Sequence, residues 1–449
     1  MRVLLAVIFT AAVCAAQSYT QRGFLESRAT FYPQTAANDR ARMIGESLFR
    51  YEGFLRPSSA FQLAGSVDLR LDTHHQVERD LRLSWQDRET RRPTVEVRRL
   101  SGMYHKGPMT FEAGKQFVRW GKTDIVTPTD RFAPRDFLTV VDNDFLPITA
   151  ARLTFEKGSN TVDAVWSPRL TPSRIPLPDQ RWVVLPDLPA GVRLNDAGAK
   201  FPGGPQSGAR WNHAGTIEYG VALYQGFNHM PSFEISPRFI VPFLTVGPAG
   251  PPTGGTPAFN SSRSPLPTPA FLTGRSAGPP TVPDIQVDVQ RFYPRMFMVG
   301  GDVAFPLPWL TVKGEAARFT SSDHRADELG LYVLQLERQL GEWFFLGGYA
   351  AEIITRKGTQ AGDFVPDRGL SQAFLGRAGY TIDANRSIAI EAAARQNGKG
   401  TWTKFEYSQA MGQHWRTTLN LTLIRGEVDD FLGQYRRNSH ALLVVRYSY

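Results

Sequence analysis

Basic side chains recurring inside alternating, half-apolar stretches are the residues here best suited to chemistry. Lys313, Arg377, Arg395, Lys404, Arg416 and Arg446 occupy such stretches, and Glu315, Glu337, Glu352, Glu391 and Glu406 share them. A guanidinium presents a fixed fork of donors that fits a carboxylate or phosphate, so a row of them favours solutes bearing an acidic group. The interleaved glutamates neutralise part of that row, and the bland outcome is a balanced lattice of ion pairs.

A second group is strung along one stretch: Arg119, Asp124, Asp130, Arg131, Arg135 and Asp136, with Asp142 and Asp144 beyond it. One reading, the preferred one, is a strand end whose Trp120 anchors at a membrane interface while the following loop folds on the rim. The other is a constriction loop bent into a lumen, its acids facing basic residues across a pore. Asp142-Asn143-Asp144 has calcium-binding residue types, yet lacks the following glycine and the terminal glutamate of a helix-loop-helix site. The 8 histidines show no HExxH spacing, so neither a metal site nor a cofactor is expected. No Gly-x-Ser-x-Gly elbow is present and no motif pairs an Asp with a His. An enzyme, such as a rim hydrolase, is therefore the minority reading.

The elements that would carry these side chains are strands. The last nine residues, ALLVVRYSY, place Ala441, Leu443, Val445, Tyr447 and Tyr449 on one face, a two-residue period ending on an aromatic. Trp415, Leu419, Leu421 and Leu423 alternate with Arg416, Thr418, Asn420 and Thr422. Similar patterns occur at 385–396, 309–320 and 61–74, near the roughly ten residues that a tilted strand needs to cross a bilayer. Charge at mid-membrane on a lipid-facing position costs about 2–4 kcal/mol per Arg, so the basic residues of these strands are expected to point inward.

Connection lengths alternate between short turns and longer segments rich in Pro, Gly and charge, the parity of an up-and-down barrel. The outer loops are read as 120–147, 169–211 and 244–284. Between them single strands are expected at 212–227, 233–243 and 285–305. Asn397–Lys399 is the exception, an outer loop no longer than a turn. The fold class is accordingly all-β: one transmembrane antiparallel barrel over 17–449, of about eighteen strands with roughly sixteen as the alternative. Residues 1–16, with Arg2, an apolar run and Ala15-Ala16, read as a secretory signal peptide. That segment contains Cys14, the sole cysteine, which excludes disulfide and cysteine chemistry in the mature chain. The formal charge is +9, but basic residues alternate with acids inside strands, which argues against nucleic acid as a partner.

In the stretch Gly114, Lys115, Gln116, Phe117, Val118, Arg119, Trp120, Gly121 the alternation fails at Lys115, and the adjacent glycine suggests a bulge at the rim. A glycine, a basic residue, Gln and then Trp-Gly, followed by Pro134-Arg135-Asp136, resembles a family of Gram-negative outer-membrane barrel proteins, porin-like and of unassigned function. Tyr219–Pro231 and Tyr293–Glu315 are similar to the same family, whereas the long Pro/Gly insertion before Asp284 departs from its pattern. The resemblance implies a location in the outer membrane of a Gram-negative bacterium. Outer-membrane lipid, the assembly machinery that reads the terminal strand, and a small-molecule solute are the implied partners. The expected function is passive passage of a small solute, with an anionic one favoured. The alternatives are transport of hydrophobic or lipid-like compounds and a surface enzyme or binding barrel. Oligomeric state is left open.

Overall fold

The computed structural model describes residues 18–184, 189, 192–240, 284–359, 362–363, 370 and 372–449. The expected signal peptide and nearly all of the expected 244–284 loop lie outside the described residues. Eighteen strands form a closed antiparallel barrel. They are β1 (Ser18–Phe31), β2 (Met43–Ser58), β3 (Phe61–Asp72), β4 (Val95–Lys106), β5 (Met109–Gln116), β6 (Ile148–Lys157), β7 (Asn160–Ser167), β8 (Gln206–His213) and β9 (Glu218–Phe227). The second half comprises β10 (Arg295–Pro306), β11 (Thr311–Thr320), β12 (Glu328–Leu340), β13 (Trp343–Arg356), β14 (Ala373–Asp383), β15 (Arg386–Arg395), β16 (Gly400–Met411), β17 (Trp415–Gly426) and β18 (His440–Ser448). Each strand pairs with the next, and β18 pairs with β1 from Phe31↔Ala441 to Phe24↔Ser448. Gly23 and Tyr449 then exchange both backbone hydrogen bonds, at 3.2 and 3.1 Å, so the aromatic terminus completes the closure.

One face of every strand is apolar and exposed. On β10 it shows Phe297, Val299, Val303 and Phe305; on β17, Trp415, Leu419, Leu421 and Leu423. Exposed apolar side chains around a closed barrel form the lipid belt of a membrane protein. The turns at one end are short: 59–60, 107–108, 158–159, 214–217, 307–310, 341–342, 384–385 and 412–414. Gly107, Gly158, Gly341 and Gly412 hold φ values of 58°, 58°, 56° and 66°, the left-handed geometry that tight hairpins require. The other end carries the long connections, apart from 396–399, which is as short as a turn.

The strand count agrees with expectation, but the central assignment does not. The expected strand 212–227 is two strands, β8 and β9, joined by the turn 214–217, so β8 lies inside what was read as the 169–211 loop. The expected strand 233–243 corresponds to Ser232–Ile240, which lies outside the barrel sheet. The expected 285–305 divides into Asp284–Phe292, in that second sheet, and β10. Among the described residues, 189, 192–198, 235–240 and 284–290 belong to a second compact unit. The second sheet places Val192–Lys200, Asp284–Phe292, Ser232–Ile240 and Gly362–Asp363 side by side in that order.

The expected bulge near Lys115 is a different feature. No residue is inserted in the β4–β5 pairing; instead Gly114, at φ 126°, turns the strand end so that Lys115 and Gln116 are both fully buried. A Cβ at Gly114 would stand 2.2 Å from the Leu100 carbonyl oxygen, so this turn demands glycine.

Candidate functional site

The connection 117–147 between β5 and β6 decides what the lumen becomes. It bends inward, against the preferred rim reading, because its backbone finds partners on the inner face of the wall. Glu315 on β11 accepts five hydrogen bonds from it. Oε2 takes Lys122 N, Thr123 N and Thr123 Oγ1 at 2.8, 3.1 and 3.0 Å, and Oε1 takes Thr129 N and Thr129 Oγ1 at 2.8 Å each. Asp124 and Gln335 of β12 exchange a pair at 2.9 and 2.7 Å. The Trp120 indole donates to Asp163 of β7 at 2.8 Å. Around these bonds an apolar core forms inside the barrel, where Trp120, Phe132 and Tyr224 meet edge to face at 5.2 and 5.0 Å and Val126, Met298 and Val333 fill in. A loop whose anchoring amides are satisfied and whose apolar groups are buried stays in place.

Glu315 is therefore corrected. Its strand face is the inward one, but the loop covers it and leaves it only 2% exposed, so it anchors the loop and lines no passage. Asp130 is likewise structural: it accepts from Trp120 N and from Gly121 N at 2.6 Å. Arg119 and Arg135 lie over the Phe145 ring at 4.0 and 4.3 Å, and Arg131 over Phe319 at 5.0 Å. Asp124 faces Lys313, which also pairs with Glu337, at 3.3 and 2.5 Å. Asp142 and Asn143 face Arg28 and Arg135, so protein cations occupy the place where calcium was considered.

The other residues expected on the inner face are there by register. Arg377, Glu391, Lys404 and Glu406 interlock across β14–β16, with separations of 3.8–4.0 Å. Arg395 pairs at 3.1 Å with Asp430, in the connection 427–439. Arg416 and Arg446 stand opposite each other in the β17–β18 register, Arg416 donating to Ser408 at 3.3 Å and Arg446 to Glu26 at 2.6 Å.

The denser cluster lies on β1–β4, and most of its members were not singled out in the sequence. Arg28 and Glu26 pair at 2.7 Å on β1. Asp68 on β3 holds Arg50 through both oxygens at 2.7 Å, Arg70 at 2.9 Å, and Arg98 of β4 at 3.9 Å. Facing this wall is the acidic part of the inward loop. Asp136 is bound by Arg92 at 2.9 and 3.2 Å and by Arg174 at 3.2 Å, and Arg92 reaches Glu46 at 2.7 Å. Burial alone would push the Asp136 carboxyl up; the guanidiniums of Arg92 and Arg174 outweigh it and hold the group well below the usual carboxylate range.

Between wall and loop is a narrow cleft of about 40 Å³, lined by Arg28, Glu46, Arg70, Glu96 and Arg98 of the strand wall and by Arg92, Asp136, Asp142, Asp144 and Arg174 of the connections. Arg70 Nε, though buried, has no hydrogen-bond acceptor among the described residues. Such an arrangement has guanidinium donors suited to a carboxylate group. The alternation of Asp68 and Arg70 with the apolar face of β3 was a usable signal; Arg92 and Arg174 sit in irregular connections that carry none.

No family model and no curated protein matches the sequence. Among solved structures the chain is similar to OccAB4 of Acinetobacter baumannii, with TM-score 0.53, 8% identity, and 97% of this chain and 98% of that chain covered. It is similar to a BenF-like porin from Pseudomonas fluorescens Pf-5 at TM-score 0.52 and 10% identity, covering 97% and 99% of the two chains. OccK2 (OpdF) of Pseudomonas aeruginosa, in complex with glucuronate, gives TM-score 0.50, 9% identity and 97% of each chain. What the chain shares with these proteins is the fold of the outer-membrane porin barrel.

Proposed function

We propose that this outer-membrane barrel is a passive channel for small solutes carrying an acidic group. The observation that carries the reading is the cleft between the arginine wall of β1–β4 and the acidic face of the inward loop. Its lining is charged on both sides, which favours a polar solute over the hydrophobic or lipid-like one also considered. Arg50 and Arg92 have their forks filled by Asp68 and Asp136. Arg98 sits 3.9 Å from its nearest carboxylate, and Arg70 keeps an unused Nε donor. Arg98 is therefore the wall arginine freest to meet a carboxylate, and Arg70 joins it once its buried Nε turns toward the cleft. The complex of OccK2 with glucuronate supports the reading, since it shows a protein of this fold holding a carboxylate.

Flux into proteoliposomes tests it directly. Glucuronate should enter faster than glucose of similar size, and Arg98→Gln with Arg70→Gln should remove that preference while glucose flux stays within about two-fold. Equal wild-type rates for the two solutes would refute the proposal.

A further inference from the structure

A separate feature lies on the outside of the barrel, at the end that carries the long connections. On β11, Arg318 is in register with Val299 of β10 and Gly330 of β12, and so occupies the lipid-facing side together with Val299 and Val303. It is exposed. Nothing lies within 4 Å of where a Gly330 Cβ would be, so the outer face is open at the position in register with Arg318. Arg295, the first residue of β10, is exposed at the same rim. Arg356 completes the group, but it is committed to Glu328 at 3.0 Å and to the Ser321 carbonyl at 3.1 Å. Neither Arg295 nor Arg318 has a carboxylate within 4.0 Å among the described residues, although Glu328 lies close enough for Arg318 to act on its charge.

A cation on the lipid face is tolerated near an interface and costs more toward mid-membrane. Two guanidiniums without a carboxylate partner at the upper edge of an apolar belt, that of Arg295 lying over the Phe227 ring at 5.8 Å, therefore call for an anion supplied by the membrane itself. Arginine's planar fork binds phosphate through two parallel hydrogen bonds. The long-connection end of an outer-membrane barrel faces the outer leaflet, so the anion belongs to a lipid of that leaflet. We infer that the outer end of β10–β13 is a docking site for a phosphorylated glycolipid of the outer leaflet. Arg318 and Arg295 bind its phosphate, and the open face at Gly330 accommodates the sugar beside it. The site is independent of the lumen and of any solute that crosses it.

Native mass spectrometry of the full barrel in mild detergent tests this with three lipids. They are a disaccharide glycolipid bearing two phosphates, the same glycolipid after phosphatase treatment, and phosphatidylglycerol. The wild-type barrel should retain the phosphorylated glycolipid and lose the other two. Arg318→Gln and Arg295→Gln should each lower retention about five-fold, the factor expected per basic residue at a membrane surface. Arg425→Gln, which removes an exposed arginine from β17 near the same rim, should leave retention unchanged. Equal retention of the dephosphorylated glycolipid or of phosphatidylglycerol would overturn the inference without any variant. So would a heat-modifiable, folded Arg295→Gln/Arg318→Gln barrel that binds like wild type, or an Arg425→Gln barrel that loses binding as those variants do.

Discussion

Glu315→Gln isolates the anchor that keeps the inward loop across the lumen. The substitution keeps the shape and removes one acceptor. If the amide nitrogen takes the Oε1 side, the Thr129 N–H is stranded; on the Oε2 side, both Lys122 N–H and Thr123 N–H are. The threonine hydroxyls can turn and accept, so the first orientation is the milder one and leaves one buried amide unpaired. That costs about 1–3 kcal/mol, and shifts the equilibrium between seated and released loop by roughly 5- to 150-fold. The barrel's own pairing is untouched, because every affected donor belongs to the loop. Hydrogen exchange at residues 122–129 should therefore accelerate by a factor in that range, while amides of β11 and β12 keep their protection. In a planar bilayer, single-channel traces should gain excursions to a larger conductance. Unchanged exchange at 122–129 together with a wild-type conductance histogram would refute the claim that this carboxylate holds the loop.

Further outcomes follow from other contacts. Gly114→Ala places a Cβ against the Leu100 carbonyl, so folded, heat-modifiable barrel should fall sharply; wild-type yield would show that the strand end adapts. Deleting Tyr447–Tyr449 removes the Gly23–Tyr449 bonds and two aromatics at the closing edge, and should leave a secreted chain that inserts poorly, measured as the folded fraction in outer membranes. Asp136 has its folded pKa depressed below the ordinary aspartate value of about 3.9, so its contribution to stability is present above that value and lost as pH falls through the lower folded one. Asp136→Asn should accordingly lower the melting temperature at pH 7, with the gap to wild type narrowing below about pH 4; a gap constant with pH would exclude the ion pairs as its cause. A cysteine placed at Asp429 should react with an impermeant label on intact cells and one at Gly412 should not, and the reverse pattern would invert the orientation.

What the sequence disclosed depended on whether lipid or protein dictated the residue. β17 and β18 were plain because every second position must be apolar to face the bilayer. β8 was hidden because its outward residues include Ser207 and Ala209, leaving Trp211 as the one large marker of the belt. Ser232–Ile240 alternates as well as a barrel strand does, and a two-residue period does not say which sheet a strand joins. The inner-face parity of Arg377, Lys404 and Arg416 was readable, since charge on the lipid side is costly away from the interfaces. The burial of Glu315 was not, because the segment that covers it lies 186 to 193 positions earlier in the chain.

If the barrel passes acidic solutes as proposed, the arrangement of charges also accounts for how a wall of arginines could serve that passage. A row of free guanidiniums would hold a carboxylate too firmly, whereas conduction needs entry to be favourable and exit easy. Here Asp68 already satisfies Arg50 and part of Arg70, and Glu26 is shared between Arg28 and Arg446. An incoming carboxylate must compete with these resident acids, so it gains only the difference between two similar interactions. Removing a resident acid should then slow the solute rather than speed it. For Asp68→Asn, glucuronate should bind more tightly in the channel, seen as longer blocking events in a bilayer, while its flux into proteoliposomes declines. A variant in which both binding and flux rise would mean that entry, not release, limits passage, and that the acids of the wall serve only to neutralise it.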